Sequence, residues 1–199
     1  TKQEFINLLG WQDKTDDEVL SAIKELSQDL TPANSNVVLE IANSLWQRQG
    51  APIKQTYKDQ TQEYFDAEVR ELDFTNPESV DVINSWIEVK TNNLIQDMLD
   101  QISSDAIMYL INAIYFKADW LYKFDTEDSF DDTFFNENNH GVDATFMTQK
   151  TNLKYMSNDL FFSVKLPYVD SNFYMLVMLP KENYSTADIM DQTNSSNWA

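Results

Sequence analysis

The sequence predicts an α+β fold with largely antiparallel sheets, and three observations predict it. Helical patterns open the chain; strand patterns follow, with helices inserted among them rather than in regular alternation; and no internal repeat or low-complexity linker interrupts the 199 residues. The chain reads as one domain or part of one, long enough to bury roughly 70% of its unfolded surface.

The first element is a helix from Gln3 to Trp11, with Phe5, Ile6, Leu8 and Leu9 at helical spacing and Gly10 as its stop. Thr15-Asp16-Asp17-Glu18 is a capping-box pattern ahead of Val19, Leu20, Ile23, Leu26 and Leu30, so a second helix is expected from Asp16 to Leu30. Pro32 breaks it. Val37 to Trp46 is apolar and β-rich, a strand ended by Gly50 and Pro52. Lys54 to Phe65 reads as a helix, and Glu68 to Phe74, alternating with period two, as a strand. After Pro77, a stripe of Val82, Ile83, Trp86, Ile87 and Lys90 belongs on a helix lying across a sheet.

The run Ala106 to Phe116 is so uniformly apolar that it predicts a central strand buried on both faces. Asn112 interrupts it. A buried amide without partners costs a few kcal/mol, so this side chain must be hydrogen-bonded, as a satisfied core amide or as a switch or latch. From Phe124 to Phe146 the chain is acidic and aromatic. Short strands follow around Leu153 to Tyr155, Phe161 to Leu166 and Phe173 to Leu179, with turns at Pro167, Asp170-Ser171-Asn172 and Pro180.

Composition excludes several functions. Fourteen lysines and arginines against 33 acidic residues give a net charge of −19, which repels nucleic acid and anionic membranes. The absence of cysteine removes disulfides, thiolate nucleophiles, iron–sulfur clusters and cysteine zinc sites. A single histidine, His140, in the polar cluster Asn136 to Gly141, gives a Ser-His-Asp relay only one candidate, and its environment reads as a solvated loop. No apolar stretch is long enough to span a membrane, and no signal core opens the chain. Thr1 in place of Met leads to the expectation of a removed leader or a piece of something longer.

The acids Asp125, Glu127, Asp128, Asp131 and Asp132 do not form an EF-hand loop, because positions six and twelve counted from Asp125 are Phe130 and Asn136 rather than Gly and Glu. They read as solvated loop charge. No pair of carboxylates is singled out for glycoside hydrolysis, although the many aromatic residues suit sugar stacking, so an acidic carbohydrate-active enzyme stands as a minor alternative. Gly10, Gly50 and Gly141 lie in no phosphate-binding fingerprint. Asn183-Tyr184-Ser185 and Asn194-Ser195-Ser196 match the N-glycosylation acceptor pattern. Met108, Met147, Met156, Met175 and Met178 read as core packing.

Asn112-Ala113-Ile114-Tyr115-Phe116-Lys117-Ala118-Asp119-Trp120, followed by Phe124-Asp125, resembles the signature of the serpin family, in which a central strand of sheet A ends in Asn-Ala-Ile-Tyr-Phe-Lys-Gly-x-Trp. Val38 to Trp46 resembles the second sheet-A strand, Tyr64 to Phe74 the helix-to-strand passage after it, and Ile83-Asn84-Ser85-Trp86 with Thr91-Asn92 the helix that crosses sheet A. Met147-Thr148-Gln149-Lys150, Leu166-Pro167-Tyr168 and Met175 to Pro180 then fall in family order. Two family glycines are replaced by Ala118 and Asn93, residues that tolerate the same geometry.

The resemblance implies a serpin-like α+β fold with parts of sheets A, B and C, and residues 1–199 as a single partial domain lacking the N-terminal helices and the C-terminal reactive-loop half. It implies a suicide-substrate inhibitor of serine or cysteine proteases that inserts a cleaved reactive loop into sheet A, an inhibitor rather than an enzyme, without cofactor or metal. Asn112, Lys117 and Trp120 are its sheet-opening candidates, and the reactive loop, through which the target protease would be met, is absent from this stretch, so these residues alone should inhibit nothing. A non-inhibitory carrier or chaperone is the alternative. Heparin-activated members carry basic residues near the start of the segment, where this chain has Lys2 and Lys14 amid acids, so heparin is not an expected partner. A cysteine-free acidic member resembles bacterial rather than vertebrate serpins, which implies an extracellular or cell-envelope location.

Overall fold

The structure is a computed structural model that describes residues 2–31, 36–136, 138–169 and 172–193. Pro32, the turn at Asp170-Ser171, the acceptor Asn194-Ser195-Ser196 and the terminal Trp198-Ala199 lie outside the described residues. The chain forms two compact units, Thr1–Lys117 and Ala118–Ala199.

In the first unit, α1 (Lys2–Leu9) ends at Gly10, whose φ of +69° is open to glycine at little cost. The expected capping box starts α2 (Asp16–Leu30): the Glu18 amide donates to Thr15 Oγ1 at 3.2 Å while the Thr15 amide donates to Glu18 Oε2 at 2.8 Å. β1 (Val37–Arg48) runs to Gly50, and α3 (Gln55–Phe65) stops where Asp66 turns left-handed. β2 (Glu68–Leu72), α4 (Glu78–Lys90) and β3 (Met108–Ala118) complete the unit. The sheet order is β2-β1-β3. β1 and β2 are parallel, with Ser44 opposite Glu68 and Arg48 opposite Leu72. α3 supplies the crossover that a parallel pair needs, which introduces one parallel pair into an otherwise antiparallel expectation.

The core of this unit is Trp46, Phe74, Ile83, Trp86, Ile87 and Ala113, with Tyr109 and Ile111 packed against it. α4 therefore covers one face of the sheet, as its stripe predicts. Val82 is the exception: the buried arc runs through Ser79, Ile83, Trp86 and Ile87, which turns Val82 outward to 38% exposure.

The expectation that β3 is buried on both faces is not met. Its burial alternates: Tyr109, Ile111, Ala113 and Tyr115 are covered, while Leu110 and Ile114 are each 57% exposed and Met108 and Phe116 share their face. Apolar composition on both faces of a strand records that both are suited to burial; in this unit only the α4 side is covered.

In the second unit a 3-10 turn at Thr126–Asp128 leads into a hairpin of β4 (Phe130–Phe135) and β5 (Gly141–Phe146), antiparallel with Phe130 opposite Phe146. A three-stranded antiparallel sheet follows, β6 (Lys154–Ser157), β7 (Phe161–Pro167) and β8 (Tyr174–Pro180), in the order β6-β7-β8. α5 (Thr186–Gln192) starts at a second capping box, Ser185 with Asp188.

Candidate sheet-opening site

Asn112 lies on the exposed face of β3, a correction to its expected burial, and its amide is satisfied. Its Nδ2 donates to Asn43 Oδ1 at 2.9 Å, and Asn43 Nδ2 donates in turn to the Phe65 carbonyl at 2.8 Å. Two side-chain amides thus link β3, β1 and the end of α3, just before β2. The sequence marked Asn112 and passed over Asn43, although Asn43 interrupts the run Val37 to Trp46 in the same way.

A second set of contacts ties α4 to the other side of the sheet. Trp86 Nε1–H donates to Glu68 Oε2 at 2.8 Å, Glu68 pairs with Arg70, and the Arg70 guanidinium lies 5.4 Å from the Trp46 ring centroid. Trp46 and Trp86 meet edge to face at 6.1 Å, closing the loop of four side chains. Burial alone would raise the Glu68 carboxyl, but the hydrogen bonds from Trp86 and Arg70 and the charges of Arg70 and Lys90 outweigh it and hold the group below the usual carboxylate range. Asn84 fastens the same helix to the loop beyond it by a reciprocal pair, Nδ2 to the Leu99 carbonyl and the Leu99 amide to Oδ1, both 2.9 Å.

Lys117, five residues after Asn112, is exposed near the end of β3 and on the opposite face of the strand. Trp120 belongs to the second unit. Its ring stacks on Tyr168 at 4.5 Å and 11° and meets Phe124 edge to face, and backbone bonds from Val169 to Asp119 and from Leu121 to Pro167 flank it. Asn112 and Lys117 therefore share one strand, while Trp120 is fixed by partners of its own.

The acidic stretch has local roles. Asp125 Oδ1 accepts from the Glu127 amide and caps the 3-10 turn, Asp131 Oδ1 accepts from Thr145 Oγ1, and Asp132 Oδ1 accepts from the Thr133 amide. Among the described residues no three His, Asp or Glu side chains converge as metal ligands would. His140 sits in the hairpin loop, where its backbone amide donates to Asn136 Oδ1.

A helix-covered sheet with β3 as its outer strand, together with a separate three-stranded antiparallel sheet, defines an α+β protein of one particular architecture. The family profile described as Serpin (serine protease inhibitor) matches residues 1–199, and the chain belongs to the serpin family. It is 34% identical over 165 residues to a serpin-like protein of Methanosarcina acetivorans, covering 81% of this chain and 39% of that one. It is 29% identical over 200 residues to human neuroserpin, covering 95% and 49%. The solved structure of Arabidopsis AtSerpin1 in its native stressed conformation superposes with a TM-score of 0.84 at 28% identity, covering 96% of this chain and 51% of that one. The chain spans about half the length of these relatives or less.

Proposed function

We propose that these residues are the sheet-bearing portion of a protease inhibitor that acts as a suicide substrate, admitting its own cleaved loop beside β3. One observation carries the reading. β3 is the last strand in the order β2-β1-β3, so among the described residues no strand pairs with the far edge of an eleven-residue strand. Such an edge is a template for one more strand. The protease nucleophile would form an acyl-enzyme with the loop, and insertion would distort the protease before water releases it. The chain performs no bond chemistry of its own, which makes it an inhibitor rather than an enzyme.

Asn112 has the role of a clasp whose bond to Asn43 ties β3 to β1, Lys117 marks the end of the strand with a charge, and Trp120 fixes the chain just after it. An extracellular or cell-envelope location is proposed with this reading; fractionation of the producing cells checks it.

The test is incubation of the whole gene product with trypsin-, chymotrypsin- and elastase-like enzymes, followed by denaturing electrophoresis. The expected result is an SDS-stable band at the summed mass with one of them. The 199-residue chain alone is expected to give none. Cleavage with full turnover and no such band would overturn inhibition and leave a non-inhibitory family member. Retention on heparin that falls steeply with salt would contradict the expected absence of heparin dependence.

A further inference from the structure

We propose that the second unit carries a binding site for a small amphiphilic anion, an apolar body bearing one carboxylate or sulfate, in the cavity between α5 and one face of the β6-β7-β8 sheet. The site is independent of the inhibitory reading and uses none of its residues. The cavity holds about 470 Å³, a size that suits a small ligand.

Strand register builds it. Lys154, Lys165 and Leu176 form one cross-strand row, Met156, Ser163 and Met178 the next, and Ile189 of α5 faces them. The floor of the cavity is thus apolar around two lysines and the Ser163 hydroxyl, and Asn158, Gln192 and Thr193 add polar groups at its margin.

The lysine pair calls for an anion. Lys154 and Lys165 stand directly opposite each other on adjacent antiparallel strands, an arrangement that destabilises a sheet when the charges have the same sign. The chain holds 33 acidic residues, yet neither lysine has an ion pair with any of them among the described residues. The Lys165 ammonium lies 3.3 Å from the Tyr174 ring centroid, which holds it at the cavity wall without neutralising it. Ser163, only 6% exposed, lies on the cavity side of β7, and its side chain has no hydrogen-bond partner among the described residues. Among the described residues no fully buried side-chain oxygen lacks a partner, so this hydroxyl is reached from the cavity and is available there as a donor.

An anionic head group would answer the two lysines, with the Ser163 hydroxyl available as a further donor from the adjacent row. Its apolar body then packs on Met156, Leu176, Met178 and Ile189. The net charge of the chain does not forbid this, because at physiological salt a Debye length of about 8 Å leaves the two nearest cations in control.

The test is calorimetric titration of the whole gene product with sodium octanoate below its micelle concentration, in 0.15 M salt, with 1-octanol as the uncharged control. The expected result is saturable binding of one octanoate per chain, about tenfold tighter than octanol, since a charge-assisted contact contributes on that order. Lys165→Gln should abolish the preference for the anion, and Lys154→Gln and Ser163→Ala should each weaken it severalfold. Phe162→Ser, on the opposite face of β7, should leave it unchanged. If Lys165→Gln fails to fold by circular dichroism, the exposed Lys154→Gln decides. Octanol binding as tightly as octanoate, unaltered binding in both Lys154→Gln and Ser163→Ala, or loss of binding in Phe162→Ser would each overturn the proposal.

Discussion

Asn112 and Glu68 make the strongest residue-level commitments. Asn112→Ala removes the donor to Asn43 Oδ1 and leaves a half-buried carbonyl oxygen unpaired; it should cost about 1 kcal/mol, read as a lower thermal midpoint. Asn112→Asp should cost more, because a carboxylate would then face that oxygen. Trp86→Phe keeps the ring and loses only the Nε1–H donor to Glu68, with an expected cost of about 1 kcal/mol because Glu68 is partly solvated. The Glu68 carboxyl is held below its ordinary value in the folded chain, so its contribution is fully present above the unfolded value of about 4.3 and is lost as pH falls through the folded one. Stability measured from pH 6 down to pH 3 should therefore fall less steeply in Glu68→Gln than in the parent; an identical slope would show that the carboxylate contributes nothing. Asn112 was visible in the sequence because it breaks an apolar run. Glu68 and Arg70 were not, since the bond from Trp86 depends on where α4 crosses the sheet, a distance no local pattern encodes.

Local chemistry made most elements legible. Thr15 with Glu18 located the start of α2, and Thr15→Ala should cost about 1 kcal/mol and reduce helical ellipticity. Ser185 with Asp188 carries the same device at α5 and could have been read in the same way. The β4–β5 hairpin was missed because its residues are almost all exposed, so the inside-outside contrast that marks a strand is weak. Gly141 was a usable signal within it: a Cβ built there would come within 2.7 Å of Thr133 Cγ2 on the facing strand. Gly141→Ala should therefore destabilise the hairpin by about 1 kcal/mol, seen as faster amide exchange across Phe130–Phe135, and Thr133→Ser should relieve part of that cost. No relief in the double variant would place the strain elsewhere. The two-sided burial expected of β3 failed for a different reason: strand composition shows which faces are apolar and cannot show which are covered.

At the scale of the whole molecule, the exposed face of β3 governs behaviour. Met108, Leu110, Ile114 and Phe116 present one apolar surface beside an edge that no described strand pairs. The 199-residue chain should self-associate in sedimentation, and the pair Leu110→Lys with Ile114→Lys should shift it toward monomer. A sharp monomeric unfolding transition of the parent chain would contradict this. The same edge carries the functional account, in which cleavage of a loop lets one more strand join the sheet. The most direct measurement is the thermal midpoint of the whole gene product before and after limited cleavage by a protease. The account predicts that the cleaved protein unfolds at a clearly higher temperature, because the loop has been built into the sheet beside β3. A cleaved form that unfolds at or below the temperature of the intact one would contradict it.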